Sequence, residues 1–484
     1  MNRRRFLSLS ALGTAALSPV SRLLAQAAPL PVTLTIGKLT GRRIAQDFTG
    51  LSYESAQLSD PDFFAGDNKQ LADLVAGLGP HGVLRIGGNT SEYCFWERDP
   101  QAHGASNGAS ANPLQDAIGP DKGNKAPPHR VISKRAIHHL RAFLDRLPGW
   151  SLIYGLNLGL GTPEMAAHEA AFVAHIMGVK LLAFQMANEP DLFYRNGLRP
   201  PSYNAEQFIA EWRRFFEAVR KRVPNAPFAG PDTAFNNDWL VPFAKAFRSD
   251  VKFVSSHYYA EGPPSDPAMD IPRLLRPDAK LEREFAGLEE VTKETGLPFR
   301  LAETNSCFGG GKQGVSDTFA SALWGADYMF RIAQAGGTGV NFHGGGYGWY
   351  TPIAGTRAKG FEARPLYYGM RLFREAAGGG GELLEVNLST APDGLRAYAV
   401  QRADGKVALI ALNLSLEHPI ELALEHRFAG KPVIRLKAPN AAAKSGETLG
   451  DATIAADGGW HARSHESAGE RLQLPAASGA LLLG

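Results

Sequence analysis

Short apolar runs alternate with amphipathic stretches along most of this chain, and eight times over the apolar run recurs at similar spacing. The runs cover residues 48–54, 83–88, 151–158, 181–188, 228–231, 251–258, 299–303 and 339–342. Their length and composition suit strands buried on both faces. Helical spacing marks 68–78, 133–147, 163–177, 205–223, 238–247, 281–295 and 317–335. Ser133, Thr162 and Asn204 stand where N-caps belong. Repeated β–α units predict an α/β fold, a (β/α)8 TIM barrel, in which chemistry gathers at the C-terminal strand ends. A doubly wound sheet is the competing arrangement. No Gly-x-Gly-x-x-Gly follows the first strand, which weighs against it.

The texture changes near residue 381. Two alternating runs across 397–414 meet at Asp404-Gly405, a hairpin signal, and 420–424, 433–436 and 480–483 read as further strands. A C-terminal all-β sandwich domain over 378–484 follows, with Gly378–Gly381 at the boundary and the barrel over 45–377. The alternating segment 32–36, within 28–44, is expected to pair into that β-domain. Residues 97–130, rich in Gly, Asn, Ala and Pro, form a long loop on the catalytic face. Such loops either wall a pocket or carry no fixed structure.

The N-terminus changes the location and the charge. Arg3-Arg4-Arg5-Phe6-Leu7, a weak apolar stretch and Ala25-Gln26-Ala27 fit a twin-arginine signal peptide over 1–27, so the mature protein is expected in the periplasm or secreted. That segment carries four arginines and no acid, so the formal charge of +3 becomes −1 on its removal. Without a basic excess, a nucleic-acid partner is not expected. No stretch reaches the ~18 apolar residues a membrane span needs. Apolar content of 44% and charge of 20% are ordinary for a soluble enzyme. The two cysteines, Cys94 and Cys307, are expected as thiols rather than as a bridge.

Two strand-like runs end in a glutamate: Glu189 in Asn188-Glu189-Pro190, and Glu303 in Ala302-Glu303-Thr304-Asn305. A pair of carboxyls on rigid strand ends is what glycosidic cleavage needs, one as proton donor and one as nucleophile. Strands four and seven face each other across a barrel, so the two side chains can approach within the about 5–5.5 Å of a retaining enzyme. A negative Glu303 would then hold Glu189 protonated. The bland alternative makes Glu189 a helix N-cap complementing the dipole. Asn188 is placed to bind a sugar hydroxyl. His257 and Tyr259, at the sixth strand end, are expected to hydrogen-bond Glu303 and fix its rotamer. Histidine spacing offers no metal site, since His138 and His139 are adjacent on a helix, and no cofactor is implied. Phe308-Gly309-Gly310-Gly311 would expose backbone amides to an anion, or serve as a flexible link. The glycine-aromatic stretch from His343 to Tyr350 suits stacking on a sugar ring.

These motifs resemble glycoside hydrolase family 79, the β-glucuronidases and heparanases, most specifically from Glu303-Thr304-Asn305-Ser306 through Phe308-Gly309-Gly310-Gly311 to Ser316-Asp317-Thr318-Phe319-Ala320. The resemblance implies Glu189 as acid/base and Glu303 as nucleophile. It implies that the amides of Gly309 and Gly310 hold a uronic carboxylate together with a tyrosine, Tyr350 before Tyr347. Glu54 and Asn89 match sugar-hydroxyl ligands, and His257 with Tyr259 match the nucleophile's supports. Phe308 stands where the heparanase branch has tyrosine, and Phe235, after Gly230-Pro231-Asp232, where it has glutamine. Those losses favour a retaining exo-β-glucuronidase acting on oligosaccharides or polysaccharides that end in glucuronic or 4-O-methylglucuronic acid. An endo-acting heparanase-like enzyme, a neutral-sugar glycosidase of the same clan and a catalytically silent carbohydrate-binding protein are the alternatives.

Overall fold

The computed structural model describes residues 30–99, 101–102, 127–234 and 236–484. The expected signal segment 1–27, most of the 97–130 loop and Phe235 therefore lie outside the described residues. Strand β1 (Leu30–Ile44) precedes the barrel. The barrel strands are β2 (Thr49–Glu54), β3 (His81–Gly87), then, past a short parallel pair β4 (Cys94–Trp96) and β5 (Arg130–Ile132), β6 (Gly149–Leu156), β7 (Leu181–Met186), β8 (Phe228–Thr233), β9 (Val251–Glu261), β10 (Phe299–Cys307) and β11 (Val340–His343). They close in chain order, with β11 pairing β2 in parallel.

Helices Lys69–Gly77, Lys134–Asp145, Pro163–Met177, Ala205–Arg222, Leu240–Ala246, Ala279–Thr295, Phe319–Gln334 and Pro365–Ala377 follow the strands in turn. Ser133, Thr162 and Asn204 accept from the amides of Ala136, Met165 and Gln207, satisfying donors that a helix start leaves unpaired. The last helix is absent from the pattern-based expectation. It is buried from Pro365 to Ala377 except at Arg374 and Glu375, and its polar stripe, Arg371, Arg374 and Glu375, is confined to its second half.

Period two along each strand explains why chemistry collects at one end. Val83, Ile153, Ala183, Ala229 and Phe253 form an apolar plug inside the barrel. Two residues further on, the same face of β3 and β7 presents Arg85 and Gln185. The interior is oily at the base and charged at the C-terminal mouth.

The β-domain follows a hairpin, β12 (Ile353–Thr356) with β13 (Gly360–Ala363). Strands β14 (Gly381–Leu388), β15 (Leu395–Arg402), β16 (Val407–Asn413), β17 (Ile420–Ala423), β18 (Val433–Lys437), β19 (Thr448–Leu449), β20 (Arg471–Leu474) and β21 (Ser478–Leu483) join β1 in one mostly antiparallel nine-stranded sheet. Strand β1 is the seam: residues 34–44 pair β14, and 30–33 pair β17. Register shifts after Ile36 and Leu39 bend it. The sheet thereby folds over, so that Ile420, Leu422 and Leu474 pack with Leu409, Ala411 and Leu482 in one core. Cys94 and Cys307 are buried and not bridged to one another. No helix among the described residues is long and apolar enough to cross a membrane.

Candidate active site

Glu303 is brought into the barrel mouth by an irregularity. Its strand β10 slips register against β9 between Leu301 and Glu303, which sets Glu303 opposite His257. Arg85 Nη1 donates to Glu303 Oε2 at 2.6 Å, and the Tyr259 hydroxyl donates to Oε1 at 2.8 Å. Burial would push this carboxyl up, but the charges of His343, His257 and Arg85, with the Tyr259 bond, hold it well below the usual carboxylate range. It is therefore ionised at neutral pH.

Glu189 sits just past β7, where the chain leaves the strand through two left-handed residues, Ala187 at φ +80° and Glu189 at φ +50°. Its amide donates to Asp232 O at 2.9 Å. Burial pushes the Glu189 carboxyl up, and the negative charges of Glu303 and Asp191 add to that, against the opposing pull of His257. Carboxylate oxygens of Glu189 and Glu303 and a ring nitrogen of His257 all lie within 4.8 Å of one another. One acid is thus poised to carry a proton and the other a charge, the division of labour that two-carboxylate catalysis requires.

The placement of His257 differs from expectation. Its Nδ1 is 3.1 Å from Glu189 Oε1 and its Nε2 is 3.2 Å from Asp232 Oδ1, so it supports the other glutamate. The reason is that an imidazole has two nitrogens and both are engaged, by Glu189 and Asp232, while Arg85 and Tyr259 hold Glu303. Although burial disfavours its charge, the carboxylates of Asp232 and Glu303 raise the imidazole to about 10. A charged His257 donates from both nitrogens. It therefore occupies Oε1 of Glu189 and leaves the acid proton on the other oxygen. Glu189, His257 and Glu303 have ligand spacing for a cation. A protonated imidazole and an arginine-paired carboxylate are poor donors, however, and the arrangement suits proton handling instead.

The other candidate residues divide into those inside the mouth and those on its rim. Asn188 is buried, its Oδ1 accepting from Arg85 at 2.8 Å and its Nδ2 donating to Asn89 Oδ1 at 2.9 Å. Glu54 is buried under the site, where Oε2 accepts from the amide and hydroxyl of Thr90 and Oε1 lies 3.1 Å from His343 Nε2. Tyr350 is buried, with its ring 6.1 Å from those of Tyr259 and His343. Tyr347, 44% exposed, stands on the rim with Phe308 and Trp349. Gly309 and Gly310 turn at φ +75° and +89°, and neither amide finds an acceptor among the described residues. A Cβ on Gly311 would meet Tyr350 N at 2.7 Å, so this turn packs directly on the Tyr350 loop.

The central residue of the site was not anticipated from sequence. Arg85 is 1% exposed and donates to Ser52, Gln185, Asn188, Asp232 and Glu303 at 2.6–3.2 Å. Its signal was present: a lone arginine inside the apolar run Val83-Leu84-Arg85-Ile86 must find carboxylates when it is buried. Asp232, likewise held low because Arg85 and His257 outweigh its burial, is the second of them.

No family model matches the chain. It is 26% identical over 409 residues to a β-glucuronidase of Aspergillus niger, across 76% of this chain and 69% of that protein. A β-glucuronidase of Neurospora crassa matches at 26% over 66% of this chain and 61% of its own length. Heparanase of Mus musculus is 24% identical across 61% of each chain. The chain is a homologue of these β-glucuronidases and heparanases, the proteins its motifs resemble. It spans 61–69% of the length of these three relatives. Its architecture is that of a 4-O-α-L-rhamnosyl-β-D-glucuronidase from Fusarium oxysporum 12S, with a TM-score of 0.70 at 18% identity over 94% of this chain and 100% of that one. A family 51 arabinofuranosidase from Xanthomonas axonopodis shares the fold at a TM-score of 0.63 and 15% identity, covering 94% and 99%.

Proposed function

We propose that this chain is a family 79 glycoside hydrolase, a retaining exo-β-glucuronidase releasing terminal β-linked glucuronic or 4-O-methylglucuronic acid from glycans. The observation that carries the reading is the pair itself. An ionised Glu303 and a Glu189 pushed toward its protonated form bring one oxygen each within 4.8 Å of the other, an approach that fits the about 5–5.5 Å between carboxyl groups in retaining enzymes.

In the first step Glu303 attacks the anomeric carbon, while Glu189 gives its proton to the departing glycosidic oxygen. A covalent glycosyl-Glu303 ester forms and the aglycone leaves as an alcohol. In the second step Glu189, now a carboxylate, takes a proton from water, whose oxygen displaces Glu303 and restores both residues. Arg85 and Tyr259 hold the nucleophile, and His257 holds the acid. The acceptor-free amides of Gly309 and Gly310, with the Tyr350 hydroxyl, receive the uronic carboxylate, while Glu54, Asn89 and Asn188 take sugar hydroxyls.

Exo-action is supported by the near-neutral mature charge and by Phe308, which puts an apolar ring on the rim where a polar contact would favour internal recognition. Export by the twin-arginine route, to the periplasm or beyond, belongs to the same proposal and rests on Arg3-Arg4-Arg5-Phe6-Leu7. Activity on p-nitrophenyl β-glucuronide, xyloside and galactoside, with the first product's anomer followed by NMR, tests the proposal. Glucuronide-selective release of the β-anomer is expected. An α-anomer first product, mid-chain fragments from a defined acidic oligosaccharide, or no turnover would overturn it.

A further inference from the structure

Outside the reacting pair lies a buried carboxylate that touches neither partner of it. Glu92, 2% exposed, stands on the turn Asn89–Tyr93 that follows β3. Its Oε1 accepts from the amide of Asn188 at 2.7 Å, and its Oε2 from the amide of Gly159. One side chain thus ties together the chain segments leaving β3, β6 and β7. Arg199 holds the carbonyl side of the same β6 segment, donating to Gly159 O at 2.9 Å and Leu158 O at 3.3 Å.

Asn188 is the residue between the two left-handed positions, Ala187 and Glu189. Left-handed backbone is unfavourable for residues with a Cβ and persists only where the surroundings fix it. Each of the three amides has one acceptor: Leu156 O for Ala187, Glu92 for Asn188 and Asp232 O for Glu189, while Glu189 O accepts from Leu192. The Asn188 amide alone is held by a side chain. Arg85 and Asn89 engage only the Asn188 side chain.

We propose that Glu92 is a positioning residue for the general acid: by clamping the strained Asn188 amide to Gly159, it sets where the Glu189 carboxyl delivers its proton. The proposal rests on Glu189 being the acid/base of a β-glucuronidase. Glutamine at 92 keeps the shape but offers one carbonyl oxygen where the carboxylate offers two, and turns an N–H toward one of the amides. The peptide of Asn188 loses its fixed point, and Glu189 moves with it.

A misplaced acid has a signature that general loosening of the fold lacks. A leaving group that departs without a proton is insensitive to it, whereas an alkoxide leaving group is not. Glu92→Gln should therefore lower kcat/KM for methyl β-glucuronide by about 10- to 100-fold, the scale of a roughly 1 Å misplacement. For 2,4-dinitrophenyl β-glucuronide the loss should be about threefold or less, with the methyl substrate's deficit in kcat rather than KM. Equal loss on both substrates, or none on either, overturns the proposal. If the glutamine variant does not fold, Glu92→Asp, which keeps the charge but withdraws from one amide, is read by the same criterion. Glu189→Gln, measured on both substrates, separates the two levels of inference. If it fails to discriminate between them, the functional reading is wrong. If it discriminates and the Glu92 variant does not, only the role of Glu92 is.

Discussion

Replacing Arg85 by methionine removes the one guanidinium on which the site is built and keeps most of its length. The lost contacts include two buried ion pairs, to Glu303 and Asp232 at 2.6 Å each, with all three side chains at most 6% exposed. Removing one partner of a buried pair costs about 3–5 kcal/mol, because a carboxylate is left without compensation. Both acids share one cation and the terms do not add, so the total is taken as about 4 kcal/mol. Half of it acting on Glu303, roughly 2 kcal/mol, raises that carboxyl by about 1.5 pH units at 1.36 kcal/mol each. The assay is kcat/KM against pH on p-nitrophenyl β-glucuronide. Its acid limb follows ionisation of the nucleophile in the free enzyme, and should move upward by about that amount. The sign extends to stability. Carboxylates held low stabilise the fold above their ordinary range and lose that contribution as pH falls through the lowered values. The variant's deficit in urea midpoint should therefore be full at pH 7 and shrink in strong acid. Arg85→Lys keeps the charge without the fork and should fall between. A folded Arg85→Met enzyme with an unmoved acid limb would refute the role given to this residue.

Three further outcomes follow from the same geometry. Glu303→Gln should lower turnover by several orders of magnitude, since no nucleophile remains. It should also lower the Glu189 pKa, because the Glu303 charge is one cause of its elevation; a ¹³C-carboxyl NMR titration that finds Glu189 unchanged would count against the pairing. Gly309→Ala places a Cβ at φ +75°, 3.2 Å from Pro264 Cδ, which disfavours the turn by about 1–2 kcal/mol. KM for glucuronides should rise about tenfold while any activity on neutral glycosides is spared, and a uniform loss would show that the turn only holds the loop. His257, raised to about 10, stabilises the fold fully below its ordinary value and loses that contribution as pH climbs through about 10. Between pH 7 and 10 the wild-type urea midpoint should fall more steeply than that of His257→Gln, and parallel curves would exclude a charged imidazole.

How much of this was legible depended on whether a residue's surroundings repeat. Barrel strands are buried on both faces and announce themselves as apolar runs, so all eight could be read. Glu189 and Glu303 stood out because a carboxyl ending such a run has few other reasons to be there. The helix Pro365–Ala377 did not stand out, because residues 365–370 carry no charge and its polar stripe at Arg371, Arg374 and Glu375 is short, although Pro365 and the left-handed Gly378 mark its two ends. Arg85 was hidden by averaging, since an apolar window absorbs one charged residue. The partner of His257 was not readable at all. It depends on a register slip between β9 and β10 and on which neighbours reach Glu303 first.

The balance of charge supports the acidic sugar proposed as substrate. Glu303 and Asp232 are held ionised, Arg85 and His257 are cations, and Glu189 is pushed toward its protonated form, so the charges of this inner set largely offset one another. A uronate entering it meets no net repulsion. Had its carboxylate been met by a further lysine or arginine within about 4–6 Å of Glu189, that charge would have drawn the Glu189 pKa down and discharged the acid before catalysis. The peptide dipoles of Gly309 and Gly310 attract an anion through partial charges whose reach is short. Their left-handed turn, open to glycine and strained for other residues, thus offers a way to hold a charged substrate while leaving the neighbouring proton in place.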